Sequence, residues 1–158
     1  MIFNLVYISK ATKPMQDVEI GHLLEQSREW NKSHGITGML LYIEGSFLHF
    51  EGGRFIQALE GEESEIRSIF ERIKADNRHY DITKLHESNT YKRNFMDWSM
   101  GFKSLNEKSF VEMPGSFSLN DSFLKKGKPN SFSVPLDFLK SFYSMNIKPL
   151  DIVSDITK

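Results

Sequence analysis

Cysteine is absent from this chain of 158 residues, which excludes a disulfide framework, a cysteine-bound zinc site and thiol catalysis. The formal net charge is −1, so the chain lacks the charged surface that nucleic acid or an anionic membrane would attract. No apolar run approaches the ~20 residues that span a bilayer, and the first residues lack the basic stretch of a signal peptide. We therefore expect a cytoplasmic protein with neither nucleic acid nor a membrane as partner.

Motifs of catalysis are missing as well. The sequence has no glycine-rich loop of the Gly-x-Gly-x-x-Gly type and no nucleophile paired with a base. The histidines at 22, 34, 49 and 86 have no spacing typical of metal ligands. We therefore expect no bound metal and no catalytic residues, so the chain is not expected to be an enzyme.

The pattern of apolar residues predicts an α+β fold. Segments with strand-like and helical spacing of apolar residues follow one another in the order β-α-β-β-α-β-β. This order is typical of a ferredoxin-like sandwich with two helices on one face of a sheet. The Gly52-Gly53 pair predicts the turn of a hairpin. The predicted elements are a strand at 2–8, a helix at 15–32, strands at 36–50 and 54–60, a helix at 62–75, and strands at 80–87 and 95–102.

The last third of the chain differs from the rest in its pattern of apolar and polar residues. Many of the 13 phenylalanines lie there, between short polar stretches, and so many large apolar side chains need burial. Residues 136–145 have a helical apolar face, with Pro135 suited to the first turn. We expect a domain at 1–103 and an extension at 104–158, mainly helical, that packs on the sheet or on a partner.

A few residues within the predicted strands are unusual for a plain core. Tyr7 lies in an apolar strand, and Gln57 lies between Ile56 and Ala58, where an amide is costly to bury unless both its ends are hydrogen-bonded. Trp98 and Met100 are two residues apart, so a strand would place them on one face. Taken singly, each has a structural explanation: a core aromatic, a solvent-facing amide, or a packed pair.

Several segments together are similar to those of the BLUF domains, which are blue-light sensors that bind a flavin non-covalently. The resemblance covers roughly residues 1–103. It rests on LVYIS at 5–9, NKSHGITGMLLY at 31–42, FIQALEGE at 55–62, IKADNRH at 73–79 and RNF-x-x-WSMGF at 93–102.

The resemblance implies a photoactive group of four residues and a flavin cofactor, FAD with FMN as the alternative. Tyr7 would supply an electron and a proton to the photoexcited flavin, and the Gln57 amide would bridge the Tyr7 hydroxyl and the flavin. An amide suits this task because it carries both a donor and an acceptor, which exchange places when it rearranges. Trp98 or Met100 would lie nearest this pair and pass the change outward.

The remaining cofactor contacts are also implied by the resemblance. They would come from the first helix on one side and from the end of the second helix on the other. Trp30 departs from the pattern, since many relatives have a second asparagine there. For Arg78, a position at a solvated helix end, near the C-terminal dipole, is a sufficient explanation. The expected cofactor-binding residues are Tyr7, Ser27, Asn31, Gln57, Ile73, Asp76 and His79.

One assignment has a rival. Counting forward from Gly35 by the usual spacing reaches His49, whereas counting back from the LEGE segment reaches Gln57. FIQALEGE matches the family motif better than FLHFEGG does, so Gln57 is the prediction. The extra residues then lengthen the hairpin.

The expected function is blue-light sensing, in which a light-driven rearrangement of the Gln57 hydrogen bonds is passed to residues 104–158 or to a partner. The expected partners are the flavin and a downstream protein or a second copy of the chain. Two alternatives remain: a flavin-dependent oxidoreductase on the same fold, and an interaction module that binds no flavin. NADH-driven flavin reduction would favour the first, and a colourless protein after reconstitution the second.

Overall fold

A computed structural model of the chain describes residues 1–47, 50–96, 100–104 and 134–147. The strands and the first two helices follow one another in the predicted order, and a third helix comes after them. The elements are β1 (Ile2–Ala11), α1 (Asp17–Ser33), β2 (Thr37–Phe47), β3 (Phe50–Gly61), α2 (Glu63–Ala75), β4 (His79–Thr90), β5 (Gly101–Ser104) and α3 (Val134–Ile147).

The strands form one five-stranded sheet in the order β4-β1-β3-β2-β5. The pairs β1–β3, β1–β4 and β2–β3 are antiparallel, whereas β5 runs parallel to β2. β1 and β3 are neighbours in the interior of the sheet, and their register places Tyr7 directly opposite Gln57. The first four strands and two helices have the ferredoxin-like arrangement, so the predicted fold class is confirmed.

Local signals define the ends of the first two helices. α1 starts after Gln16, whose backbone N–H donates to the Glu19 carboxylate at 2.9 Å. It ends just before Gly35, whose φ of +63° is a left-handed conformation that glycine adopts without strain. α2 starts after Glu62, whose carboxylate accepts the Ser64 backbone N–H at 2.7 Å. These contacts satisfy backbone donors that a helix leaves open at its start.

Successive residues of a strand point to opposite faces of the sheet, and helices cover both faces. Leu5 and Tyr7 face α1 and α2, where they belong to one apolar cluster with Leu24 and Ile66. Val6 belongs to a second apolar cluster, on the opposite face. The sheet is therefore the middle layer of the described structure.

The helix α3 covers that opposite face. It contains the predicted helix 136–145, and its Leu139 is only 3% exposed. Phe138 and Phe142 pack against the same apolar cluster. Among the helices that the structure describes, none is both long enough and apolar enough to cross a bilayer.

The predicted hairpin turn at Gly52-Gly53 is wrong. β2 and β3 remain paired as far as Phe47 and Phe50, so both glycines lie inside β3. Gly52 has a φ of +138°, and a Cβ on Gly53 would lie 2.5 Å from the Tyr42 hydroxyl oxygen. These glycines serve an unusual backbone angle and a close approach within a strand, two needs that give the same sequence signal as a turn.

The predicted strand at 95–102 is wrong at Phe95, Met96 and Met100, which are described and lie outside any strand, and β5 begins at Gly101. The backbone N–H groups of Asn94 and Phe95 donate to the buried Glu60 carboxylate, at 2.7 and 2.6 Å. A side chain therefore takes the donors that a strand would offer to its neighbour. This anchor keeps the start of the segment out of the sheet.

Candidate functional site

A cleft of about 200 Å³ lies between α1 and α2, with strand residues at its floor. Its walls are mainly apolar, with a few polar groups among them. All the residues expected to contact a cofactor line it, and they reach it from β1, α1, β3, α2 and the start of β4. These are Tyr7, Ser27, Asn31, Gln57, Ile73, Asp76 and His79.

A chain of hydrogen bonds runs along one side of the floor. The Tyr7 hydroxyl donates to Oε1 of Gln57, and Nε2 of Gln57 donates to the Met100 sulfur at 3.3 Å. The three residues are 3%, 5% and 2% exposed. Both ends of the buried amide therefore have partners, which offsets the cost of removing it from water.

Burial raises the pKa of the Tyr7 hydroxyl well above its ordinary value, and the negative charge of Asp76 raises it further. The hydroxyl therefore keeps its proton at neutral pH and acts as the donor to Gln57. The ring is held by neighbouring aromatic groups, with centroid distances of 5.4 Å to Phe70 and 6.3 Å to His79. The geometry thus presents a protonated, well-positioned phenol at the cleft.

His79, at the start of β4, is fixed at both ring nitrogens. Nδ1 lies 2.8 Å from the Ser9 hydroxyl, and Nε2 lies 2.7 Å from the Ile73 carbonyl oxygen, to which it donates. Because both nitrogens are engaged, the ring offers a fixed surface rather than a free donor. It also connects β1 to the end of α2, where Ile73 lines the cleft.

Asp76 and Arg78 form an ion pair beside His79. The Asp76 carboxylate accepts the Arg78 backbone N–H and side-chain Nε–H, each at 2.9 Å. Burial alone would raise the pKa of Asp76, but the hydrogen bonds and charge of Arg78, together with His79, lower it below its ordinary value. The carboxylate is therefore ionised at neutral pH and fixed at the edge of the cleft.

On the α1 wall, Ser27 donates its hydroxyl to the Leu23 carbonyl oxygen at 2.8 Å, one turn earlier. Asn31 is buried, and its backbone carbonyl accepts the Ile36 N–H at 2.8 Å. That bond fixes the turn from α1 into β2. Asn31 is thus a buried polar side chain in a wall that also carries Gln26 and Ser27.

Trp30, the departure from the family pattern, lies in a stack of three side chains. The His34 ring is parallel to it, with the centroids 3.9 Å apart at an angle of 11°. On α2, the Arg72 guanidinium lies 3.7 Å from the Trp30 ring centroid. Since Trp30 and Arg72 both line the cleft, their contact joins its two walls.

Met100 lies next to Gln57 but just before β5 rather than within it. Trp98 and His49 lie outside the described residues. The comparison between Trp98 and Met100, and the role of His49, therefore stay predictions. Gln57 is the residue that the β1–β3 register places opposite Tyr7.

The sequence interpretation missed several cleft residues that helical spacing could have found. Ile69, Arg72, Ile73 and Asp76 follow the i, i+3, i+4, i+7 pattern of one helix face, and all line the cleft. The predicted residues Ile73 and Asp76 could therefore have indicated Arg72. Arg28 does not line the cleft, but its Nε–H donates to the Met100 backbone carbonyl oxygen at 3.0 Å. No sequence pattern indicated this contact, because the two residues are far apart in the chain.

The fold and the cleft define a small α+β domain with a mainly apolar cleft between two helices, beside a hydrogen-bonded tyrosine and glutamine. Residues 2–101 match the model of the BLUF family, described as sensors of blue light using FAD. The chain belongs to this family, and it is a flavin-binding blue-light sensor. The match favours neither an oxidoreductase nor a module without flavin.

The segment that matches this chain makes up different shares of the similar proteins. The beta subunit of a photoactivated adenylate cyclase from Euglena gracilis is 31% identical over 98 residues, which are 61% of this chain and 10% of that protein. The chain thus spans about a tenth of the length of this curated relative.

Solved structures also match this chain over part of their length. The dark-state structure of BlrB, a BLUF protein, is 32% identical with a TM-score of 0.56, over 65% of this chain and 72% of that one. Klebsiella pneumoniae BlrP1 with FMN and cyclic diGMP is 27% identical with a TM-score of 0.68, over 91% of this chain and 35% of that one.

Proposed function

We propose that the flavin lies in the cleft between α1 and α2, with Tyr7 and Gln57 as its photoactive partners. The hydrogen-bonded series from Tyr7 through Gln57 to Met100 carries this proposal. It places a protonated phenol and an adaptable amide at the floor of a cleft, beside a soft sulfur acceptor.

The residues of the cleft fit a planar, mainly apolar ring with polar edges. Leu40, Leu59, Ile69 and Ile73 supply apolar surface at the floor and on the α2 wall. Ligand sites commonly combine such surface with a few fixed polar groups that set orientation. Asn31 on one wall, Asp76 on the other and Gln57 on the floor are those polar groups here.

The bound flavin supplies the light absorption and the redox chemistry. With the flavin bound, Tyr7 would donate an electron and a proton and then regain both, so that neither group stays oxidised or reduced. The Tyr7 hydroxyl is aimed at Gln57. Gln57 then exchanges the positions of its donor and acceptor, which changes the hydrogen bonds at the cleft floor. In the described state Nε2 faces Met100, so the exchange removes the bond to the Met100 sulfur.

Within the flavins, we propose FAD, with FMN as the alternative. A second cavity of about 410 Å³ adjoins the first, and the two share Met15, Gln26 and Arg78. Lys13, Glu19 and His22 also line the second cavity, and Lys13 and Glu19 form an ion pair there at 2.8 Å. Lys13 and Arg78 are cations that can donate to the phosphates of a dinucleotide tail, and this cavity gives such a tail room that a mononucleotide would leave unused.

We further propose that the chain is a sensor and not an enzyme, with residues 1–103 as the photosensor domain and residues 104–158 as the output. α3 packs on the sheet face opposite the cleft, and Phe95 lies in the same apolar cluster as Leu139. Phe95 is also anchored by Glu60 of β3, the strand that carries Gln57. A change at Gln57 thus has a short path to α3, and from there to a protein partner or a second copy of the chain.

The function is tested by the absorption spectrum of the FAD-loaded full chain before and after blue light. We expect a small, reversible red shift that decays in the dark. An unchanged spectrum under saturating light would contradict the proposal. Loading the chain separately with FAD and FMN, and comparing the two dissociation constants, tests the choice of cofactor, because FMN binding as tight as FAD would remove the argument from the second cavity.

Hydrogen exchange tests the output separately. We expect the protection of α3 (Val134–Ile147) to differ between the dark and continuous blue light. The reason is that a two-state element shifts when its packing partner changes its interaction energy. Identical protection in both states, alongside a normal red shift, would show that the signal leaves by another route.

A further inference from the structure

An arginine on α1 holds the residue that receives the hydrogen bond from Gln57. The Arg28 Nε–H donates to the Met100 backbone carbonyl oxygen at 3.0 Å. Arg28 is partly buried, and burial lowers the pKa of its guanidinium. An arginine remains charged under any ordinary condition, so this is a charge-assisted bond in a partly desolvated place, which makes it stronger than a bond between neutral groups.

Met100 is therefore held at two different atoms by two different elements. Its sulfur accepts from Gln57 of β3, and its carbonyl accepts from Arg28 of α1. Together with the bond from Tyr7 to Gln57, the contacts form a continuous series from β1 to the surface of α1. A thioether sulfur is a weak acceptor, so the contact with Gln57 alone is a weak constraint on Met100.

We propose that Arg28 is a positioning residue that keeps Met100 beside Gln57 and thereby sets the lifetime of the light-induced state. This inference rests on the proposed function. When the Gln57 amide rearranges, its bond to the sulfur is lost, but the bond from Arg28 to the carbonyl remains. Met100 then stays within reach of Gln57, and the original hydrogen bond re-forms readily.

The same contact connects the switch to α1. α1 also carries the wall residues Ser27 and Asn31, on either side of Arg28 in sequence. A change in the position of Met100 is therefore felt at one wall of the cleft as well as in β5, which begins at the next residue. Without Arg28, we expect Met100 to move away more easily and the return to the dark state to slow.

The test compares dark-recovery rates of the flavin-loaded full chain and two variants. Arg28→Met keeps an apolar stem of similar length but removes the donors. Lys32→Met is the matched control, because Lys32 lies one turn further along α1 and is exposed. We expect Arg28→Met to keep the red shift and recover roughly tenfold more slowly, which corresponds to about 1.4 kcal/mol in the barrier. Lys32→Met should recover like the wild type.

Recovery of Arg28→Met within twofold of the wild type would overturn the inference, as would equal slowing in Lys32→Met. If the wild type itself showed no red shift, the proposed function would fail instead, so the two failures are distinguishable.

A measurement on the unmodified chain covers the case in which Arg28→Met fails to fold or to hold flavin. Nitrogen-15 labelling of arginine reports the Arg28 Nε–H resonance, which is identified by its absence in Arg28→Lys. We expect this Nε–H to exchange slowly with solvent in both the dark and the lit state, because its bond to the Met100 carbonyl persists. Fast exchange in the lit state, alongside a normal red shift, would overturn the inference.

Discussion

The two faces of the sheet bury different kinds of side chain, although the same strands supply both. On β3, Gln57 faces the cleft between α1 and α2, whereas its neighbours Ile56 and Ala58 face α3. On β1, Tyr7 and Val6 divide in the same way. The cleft face thus holds partnered polar groups within its core. The α3 face is an apolar cluster except towards one end of β1 and β3, where Asn4 lies opposite Glu60 and the Glu60 carboxylate accepts from Phe95.

This difference separates two tasks within one sheet. An apolar cluster stabilises the fold by removing area from water and imposes few directional demands. A buried polar network requires each group to have its partner, so it fixes geometry more than it adds stability. Substitutions on the α3 face should therefore change stability, and substitutions on the cleft face should change the response to light.

The largest effect is expected for Tyr7→Phe, which should abolish the red shift. The phenyl ring fills the same space, but the hydroxyl that donates to Gln57 is lost. Losing that hydrogen bond leaves the buried Gln57 oxygen without its donor, which should cost about 1–3 kcal/mol of folding free energy. Absorption spectra with and without blue light, on flavin-loaded protein, measure the effect. Val6→Ala, which alters the adjacent residue on the other face, should retain the shift, and a red shift in Tyr7→Phe would refute the role of the hydroxyl.

The next effect is on stability. Ile56→Ala should lower the free energy of unfolding by about 2–5 kcal/mol, because it leaves a cavity in the apolar cluster beneath α3. Urea unfolding of the full chain measures this change. The folded, flavin-loaded fraction should still show the red shift. A folded Ile56→Ala protein that binds flavin but does not respond to light would break the separation between the two faces.

A smaller effect concerns retention of the flavin. Trp30→Asn removes the indole that stacks between His34 and Arg72 and joins the two walls of the cleft. A cation–π contact of this kind is worth roughly 0.5–2 kcal/mol, so we expect flavin release to accelerate about two- to thirtyfold. Stopped-flow fluorescence of released flavin measures the rate, with Glu29→Gln as the control on an exposed neighbour. A release rate equal to that of the wild type would show that the stack does not hold the ligand.

The smallest effect is a pH dependence of stability. The pKa of Asp76 is lower in the folded chain than its ordinary value of 3.8. Its ionised form therefore stabilises the fold at neutral pH, and this contribution is lost as the pH falls below about 4. We expect the difference in unfolding free energy between the wild type and Asp76→Asn to shrink on going from pH 6 to about pH 3. A difference that stays constant over that range would contradict the ion pair with Arg78.

The order of the elements was predictable because local signals encode it. The apolar spacing of α2, the capping by Glu62 and the glycine after α1 each act over a few residues. The prediction of a turn at Gly52-Gly53 was wrong. Position 53 needs a glycine because the Tyr42 side chain, from the neighbouring strand, leaves no room for a Cβ. A close approach between strands leaves the same mark on a sequence as a turn.

The site residues that belong to a family motif could be predicted from the sequence. The contacts between residues far apart in the chain could not. Tyr7 and Gln57 belong to recognisable segments, and the β1–β3 register places them opposite each other. Arg28 and Glu60 were missed as anchors, because their partners at Met100 and Phe95 lie in a segment that the strand pattern had assigned to the sheet. The spacing of apolar residues does not reveal where a side chain, rather than a neighbouring strand, accepts the hydrogen bond of a backbone N–H group.

The central claim is that the Gln57 amide changes its hydrogen bonds when the flavin absorbs light. The most direct test is the light-minus-dark absorption spectrum of flavin-loaded Gln57→Leu, recorded beside the wild type and His49→Leu. Leucine fills a similar space but has neither donor nor acceptor. We expect Gln57→Leu to bind flavin without a red shift and His49→Leu to shift nearly as the wild type does. A red shift that persists in Gln57→Leu but is lost in His49→Leu would contradict the central claim.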